Sequence, residues 1–213
     1  MPRYNVLISC DQKYYNDWAH LFFLSVYNRN PWLRGKLHCH IINPTKFDPL
    51  PYVKYSTEDV KFTSENSKIS YLQAARFLTV ADRVSPDEFY ITLDADTICT
   101  RSFNEEEFSL VFEDLNVLKH KKAGHWLAGF VTFSDMVFAK DYASRLRQIP
   151  ISEWEVGRDQ KILAELSNDY NFKELDPTWM SYGKNIHDSI FYTLKGEQKV
   201  TEKYLNIYNR YKI

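Results

Sequence analysis

The sequence predicts a single α/β domain, with a mostly parallel central sheet and helices on both faces. Three observations carry this expectation. Short apolar runs of strand length alternate with longer runs at helical spacing, as strand–helix–strand units require. A chain of 213 residues suffices for one well-buried domain and would be a squeeze for two. No internal repeat or low-complexity stretch interrupts the alternation.

The elements follow in order. Residues 4–9 read as a strand, and 15–27 as a helix with Trp18, Leu21, Phe22 and Ser25 at helical spacing. Residues 37–42 (LHCHII) form a second strand closed by Asn43-Pro44, and 53–55 a short third. A helix over 67–84 carries Tyr71, Leu72, Ala75 and Leu78 on one face and stops at Ser85-Pro86. Residues 89–93 are strand, 108–118 alternate loosely, and 126–133 (WLAGFVTF) are a buried strand. Helices over 140–147 and 159–166 and a late strand over 190–194 complete the pattern.

Composition narrows the function classes. Aromatic residues make up 16%, with 15 Tyr and 5 Trp, which favours a contact surface for something flat or ring-shaped, a base or a sugar. The formal net charge of -1 gives no field that would attract nucleic acid or an anionic membrane. Cys10, Cys39 and Cys99 are odd in number, lie in apolar runs and fit no metal spacing. Buried free thiols in a reducing compartment are the simplest account. No apolar run approaches membrane-spanning length, the N-terminal strand is too short for a signal segment, and Pro44 spoils Asn43-Pro44-Thr45 as a glycosylation acceptor. The expected location is cytoplasmic, either as a complete chain or as a domain of a longer one.

The segment EFYITLDADTICTRSF (88–103) is the most informative. Its strand runs into Asp94-Ala95-Asp96, and on a continuing strand the two acids point the same way. Adjacent carboxylates repel and are costly to bury unpaired, but a divalent cation between them offsets that cost. Hard oxygen ligands with one side open suit Mg²⁺ or Mn²⁺ bridging to a phosphate. Alone, Asp-x-Asp also reads as two solvated aspartates in a turn. The apolar residues before it and Thr97-Ile98-Cys99 after it favour the buried carboxyl end of a central strand, where open α/β sheets place ligands. There is no Gly-rich phosphate loop among the six glycines, so metal and scattered basic residues would have to hold any phosphate.

Further motifs flank this pair. Asp11-Gln12-Lys13-Tyr14 ends the first strand with an acid followed three residues on by a tyrosine. The helix YLQAARFL places Arg76 before the acid pair. Leu127-Ala128-Gly129 lies in a later strand, Asp159-Gln160 opens a helix, and Gly196 and Lys199 stand near the end. In this order and rough spacing, over nearly its whole length, the chain resembles nucleotide-sugar glycosyltransferases of the GT-A fold. It is most similar to the retaining group that includes glycogenin and the bacterial lipooligosaccharide galactosyltransferases.

The resemblance implies a single GT-A (Rossmann-like) domain over 1–213, about 1–100 its nucleotide-binding half and about 101–213 its acceptor side. It implies retaining transfer of a hexose or deoxyhexose from a UDP-sugar such as UDP-glucose to a glycan or glycoprotein, with Mn²⁺ or Mg²⁺. By the same resemblance Ser9, Cys10, Asp11, Tyr14, Arg76, Asp94, Ala95, Asp96, Lys195, Gly196 and Lys199 bind the donor. Asp94, Asp96 and His187 hold the metal, and Asp159 and Gln160 are catalytic. A narrower resemblance, to a chlorovirus glycosyltransferase domain linked to capsid glycosylation, implies a viral capsid protein as acceptor and the host-cell cytoplasm as location.

Two departures stand out. The family's Asn before Ala-Gly is Leu127, and its metal-binding His before the final Gly is Thr193. The nearest histidine is His187, six residues earlier and on the same side of a continuous strand. Imidazole is a good Mn²⁺ ligand and a neutral hydroxyl a poor one, yet His187 also reads as a surface or turn residue.

Each residue carries a plainer alternative. Tyr14 or its neighbour Tyr15 stacks on a uracil ring, or either is a helix-start aromatic packing on the core. Asp11 binds base or ribose, or caps the first helix, or does both. Arg76 is solvated, or forks onto the diphosphate or its carboxylates. Lys195 and Lys199 decorate a surface turn, or Gly196 lets them approach phosphate. The basic run Lys119, His120, Lys121 and Lys122 reads as a loop that touches acceptor or phosphate, or only solvent. Asp159 is either near the reacting sugar or simply an acid favoured at a helix start. Glu153, Glu155 and Asp188 are the other carboxylates available to an inverting mechanism. Two further classes compete: a haloacid-dehalogenase-type phosphohydrolase, similar in its Asp-x-Asp, and a sugar- or nucleotide-binding module without catalysis.

Overall fold

The computed structural model describes residues 3–120, 124–182, 189–193, 206 and 209. Strand β1 (Arg3–Asp11) buries Val6 to Cys10 without a break, because both its faces are covered. It pairs in parallel with β2 (Leu37–Ile42) on one side and β4 (Glu88–Leu93) on the other. β3 (Val53–Glu58) extends the parallel set beyond β2. Beyond β4 the sheet turns antiparallel through β7 (Trp126–Phe133) and β6 (Asn116–Lys119), with short β8 (Lys173–Glu174) parallel to β6 at the edge. The order is β3-β2-β1-β4-β7-β6-β8. The expected α/β fold is therefore present, with a parallel core of four strands and an antiparallel flank.

Alternate side chains of β1 feed two cores. Val6, Ile8 and Cys10 join Phe22, Phe23 and Val26 of helix α2 (His20–Arg29). Leu7 joins Ala74, Ala75 and Phe77 of helix α3 (Glu65–Ala81). Helices α5 (Met136–Arg147) and α6 (Arg158–Leu166) share the α3 face, and Phe77 stacks on Tyr142 with ring centroids 4.5 Å apart. Each such fully buried aromatic contributes about 1.5–3 kcal/mol of burial. A small second sheet, β5 (Ile98–Cys99), β10 (Phe191–Thr193) and β9 (Met180–Tyr182), lies just after the acid pair.

The first helical stretch is compound. It opens as α1 (Gln12–Tyr14), passes through a π-turn over Tyr15–Ala19 and continues as α2. The loosely alternating 108–118 segment is not one element. Helix α4 (Glu105–Leu110) begins at an Asn104–Glu107 capping box, and β6 follows after a turn. All three cysteines are buried free thiols. Among the described residues no helix is long and apolar enough to cross a membrane.

Candidate active site

The sheet's switch point lies where β1 is joined to β2 on one side and β4 on the other. The carboxyl ends of β1 and β4 therefore open onto one crevice. Chain reversal at each end supplies its acids. Asp11 ends β1 and accepts a 2.8 Å hydrogen bond from the Tyr14 backbone N–H, so it is the cap of the first helix. β4 stops at Leu93, and Asp94 to Thr97 form a turn closed by a 3.1 Å hydrogen bond from the Thr97 N–H to the Asp94 carbonyl. The two acids are thus oriented by a turn and not by strand alternation, which corrects the expectation from the sequence.

The turn presents the two carboxylates to different partners. Asp94 Oδ1 lies 2.9 Å from Arg76 Nη1. Asp96 Oδ2 accepts a 2.7 Å hydrogen bond from the Tyr14 hydroxyl, and its Oδ1 accepts from the Thr193 hydroxyl at 3.3 Å. Asp96 is 2% exposed, so these bonds replace water that it lacks.

Arg76 is not solvated. It is 4% exposed and forks three ways, to Asp94, to the Ala128 carbonyl at 2.9 Å and to Asp159 Oδ2 at 3.6 Å. One guanidinium thus ties together helix α3, the β4 turn, strand β7 and the start of α6. Such a cation is retained in a buried position only because carboxylates compensate it. Asp159 stands in the first turn of α6, where the helix dipole favours an acid. Its carbonyl accepts a 2.5 Å hydrogen bond from the buried Tyr142 hydroxyl. The turn before it passes through Gly157 at φ +83°, and the Gly157 N–H donates to Gln73 Oε1 at 3.2 Å.

A cleft of about 520 Å³ opens above this network. Ser9, Cys10, Asp11, Tyr14, Asp94 and Ala95 line it, together with Arg76 and Asp96. The size is ordinary for a small-molecule site. Among the described residues, Arg76 Nε in the cleft wall and Gln160 Oε1 next to Asp159 are buried without a hydrogen-bond partner, which marks polar capacity left over for something else. The Ser9 hydroxyl donates to the Leu72 carbonyl at 3.3 Å, and Lys68 Nζ stands 4.0 Å from Asp11 Oδ2 at the rim.

The structure decides several alternatives. Tyr15 is 1% exposed and hydrogen-bonded to Tyr55 at 2.8 Å and to the Asp48 carbonyl at 2.9 Å, so it is a core residue and no base platform. Burial, with Tyr55 alongside, pushes its phenol far above the ordinary value. Tyr14 lines the cleft and is anchored to Asp96. Glu153 and Glu155 are exposed, and Glu155 pairs with Lys161 at 2.9 Å, away from the cleft lining. Lys119 lies over Trp126, 5.0 Å from the ring centroid, and 3.7 Å from Glu174. His187, Asp188, Lys195, Gly196, Lys199, Lys121 and Lys122 lie outside the described residues.

Sequence reasoning did not assign Gln73, Tyr142 or Thr193 to the site. Gln73 falls three residues before Arg76 on the same helical face, a spacing that could have found it. Nothing local marks Tyr142. Thr193 had been noted only where a metal-binding His stands in the family. Its hydroxyl reaches Asp96, so the small sheet brings this position to the acid pair.

The donor set can be tested against a divalent cation. Asp94 and Asp96 offer hard carboxylate oxygens, and the Tyr14 and Thr193 hydroxyls that donate to Asp96 are neutral groups, which can yield without leaving a charge behind. Among the described residues no group of three or more His, Cys, Asp and Glu side chains converges as a complete protein cage. The set fits Mg²⁺ or Mn²⁺ of the kind held by one or two carboxylates plus phosphate and water.

Comparison with known proteins gives a fold. No protein-family model matches the chain, and no curated protein sequence does. Solved structures do match. The glycosyltransferase GlyE of Streptococcus pneumoniae TIGR4 superposes with a TM-score of 0.61 at 14% identity, over 98% of this chain and 60% of that one. Its apo form gives 0.63, again at 14% identity, covering 100% and 60%. The galactosyltransferase LgtC, solved in complex with donor and acceptor sugar analogues, gives 0.62 at 11% identity, over 98% of this chain and 95% of that one. The chain therefore spans about 60% of the length of GlyE and nearly all of LgtC. The fold is the GT-A, Rossmann-like fold of these glycosyltransferases.

Proposed function

We propose that the chain is a metal-dependent glycosyltransferase that moves a hexose or deoxyhexose from a UDP-sugar to a glycan or glycoprotein acceptor, with retention. One observation supports this above the rest. Asp94, Asp96 and Arg76 line one cleft at the switch point of a glycosyltransferase-like fold, and Asp159 stands behind Arg76 as its second carboxylate partner. The choice of uridine and the retaining outcome rest on the family resemblance, as does the viral capsid acceptor.

The chemistry follows from charge. Departure of a nucleoside diphosphate leaves growing negative charge, which must be met without solvent. A divalent cation held by Asp94 and Asp96 would supply Lewis-acid stabilisation of that leaving group. Arg76 carries a fixed positive charge beside the same acids, held by Asp94 and Asp159 in a geometry that needs no reorganisation. Asp159, paired to Arg76 behind the cleft, is the carboxylate that would have to serve an oxocarbenium-like sugar, a role that rests on the family resemblance. Gln160, with its buried carbonyl oxygen unpaired, is available to orient a sugar hydroxyl.

A nucleophilic Asp94, which the phosphohydrolase reading needs, would be blunted by its ion pair to Arg76. The test of the proposal is a thermal-shift panel of nucleoside diphosphates with and without Mn²⁺, followed by turnover of the matching sugar nucleotides. A rise with UDP plus Mn²⁺, and with neither alone, supports the reading; preference for GDP would overturn the uridine assignment. The product's anomeric proton, read by NMR, decides retention.

A further inference from the structure

A second crevice lies on the other flank of α3. Leu72, Gln73 and Arg76 face the donor cleft, while Tyr71, Leu78 and Thr79 face this one. It encloses about 510 Å³ between strands β2 and β3, the α3 flank and the segment 149–154. Among the described residues, the two share no lining residue.

Its floor is polar where a sheet face under a helix is ordinarily apolar. His40 and Ser56 are register partners on the parallel strands, and Ile42 partners Glu58. His40 Nδ1 is 2.9 Å from the Ser56 hydroxyl, and His40 Nε2 is 3.1 Å from Glu58 Oε1. Tyr71 lines the same crevice as Glu58; burial raises its phenol, and the interaction between the phenol and the carboxylate raises it further and lowers the Glu58 carboxyl. Burial alone would raise the Glu58 carboxyl, but the interactions with His40 and Tyr71 more than offset it and hold it below its ordinary value. His40 and Tyr71 are 7% and 6% exposed, so this is a built, pre-organised polar wall and not loose surface chemistry.

The opposite wall is apolar. Leu78, Ile149 and Ile151 line it with Trp154, which stacks on Tyr71 at 5.5 Å and is fixed by its indole N–H to the Ile149 carbonyl at 2.9 Å. The rim carries Arg83 and an Asp82–Arg147 ion pair at 3.0 Å.

The charges select the ligand class. Two carboxylates, Glu58 and Asp82, and two guanidiniums, Arg83 and Arg147, share the lining. An anion drawn to the arginines would meet the carboxylates, and a cation the reverse. A neutral ring with many hydroxyls suits both signs, donating to carboxylate and accepting from guanidinium. Its C–H face suits the apolar wall.

We propose that this crevice is a second carbohydrate site that takes a neutral hexose unit, separate from the donor cleft. It does not depend on the reading of that cleft. The test is saturation-transfer NMR and calorimetry on the whole chain with the methyl glycosides of glucose, galactose and mannose, in the parent and in Glu58→Gln, Arg83→Ala and Asp94→Asn. Circular-dichroism melts of each variant confirm folding. At least one glycoside is expected to bind saturably, about tenfold more weakly in Arg83→Ala and Glu58→Gln and within about twofold of the parent in Asp94→Asn. No saturable binding of any of the three, binding indifferent to Arg83 and Glu58, or displacement by inorganic phosphate would each overturn the proposal.

Discussion

The Tyr14 hydroxyl donates a 2.7 Å hydrogen bond to Oδ2 of Asp96, joining the end of β1 to the turn after β4. The two residues are 82 positions apart in sequence. The bond occupies a carboxylate oxygen that a cation at the acid pair would also seek. Tyr14 is thus a wall of the cleft and, for any cation held there, would be a competitor at its acid.

Replacing Tyr14 by Phe keeps the ring and removes that competition. Mn²⁺ alone should bind more tightly to Tyr14→Phe, by up to about tenfold, while stability falls by about 1.5–3 kcal/mol for a hydrogen bond to a charged group. Titration of free Mn²⁺ by electron paramagnetic resonance reads the first and urea unfolding the second. Weaker Mn²⁺ binding in the variant would contradict this role.

Arg76 compensates two buried carboxylates at once, so its removal strands both. Arg76→Met should cost about 3–5 kcal/mol in urea unfolding at neutral pH. Arg76→Lys should recover only part of this, since an ammonium cannot reproduce the fork onto Asp94, Asp159 and the Ala128 carbonyl. A loss below about 1 kcal/mol for the Met variant would show that the network is solvated.

His38 gives the chain an acid-sensitive core. It is 6% exposed, both ring nitrogens lack hydrogen-bond partners among the described residues, and it packs edge-on to Tyr90 at 5.7 Å. Burial, reinforced by the positive charges of Lys54 and Arg83, lowers it from 6.5 to about 3. Below 6.5 the unfolded chain takes up a proton that the folded chain refuses, so stability falls as pH drops from about 6.5 towards about 3. His38→Leu should remove that slope, at most about 1.4 kcal/mol per pH unit. It should also gain about 1–3 kcal/mol at pH 7 by removing unpaired buried nitrogens. Urea midpoints at pH 7, 6 and 5 check both, and an unchanged slope in the variant would refute the assignment.

Much of this was legible in the sequence, for physical reasons that also explain the rest. Strands buried on both faces, such as LHCHII and WLAGFVTF, are runs rich in apolar residues and free of Asp, Glu, Lys and Arg, and they lie where the sequence places them. The acid pair, Asp11, Tyr14 and Arg76 were all picked out and line one crevice, while Asp159 reaches it only through its ion pair with Arg76. What sequence could not supply was partnership. Tyr14 and Tyr15 are adjacent and alike, yet one reaches Asp96 and the other the core, because neighbours on a helical stretch point to different sides and the sequence does not show which side faces the crevice. Antiparallel β7 read as one more strand, since an apolar run does not carry its direction. The polar wall of the second crevice was invisible because His40, Ser56 and Glu58 meet only through strand register.

The most direct test is UDP-hexose turnover in Mn²⁺ by Asp94→Asn, with circular dichroism confirming the fold and calorimetry of UDP with and without Mn²⁺ alongside. The acid pair predicts that the variant loses turnover and that Mn²⁺ no longer strengthens its UDP binding. Turnover equal to that of the parent would contradict the central claim.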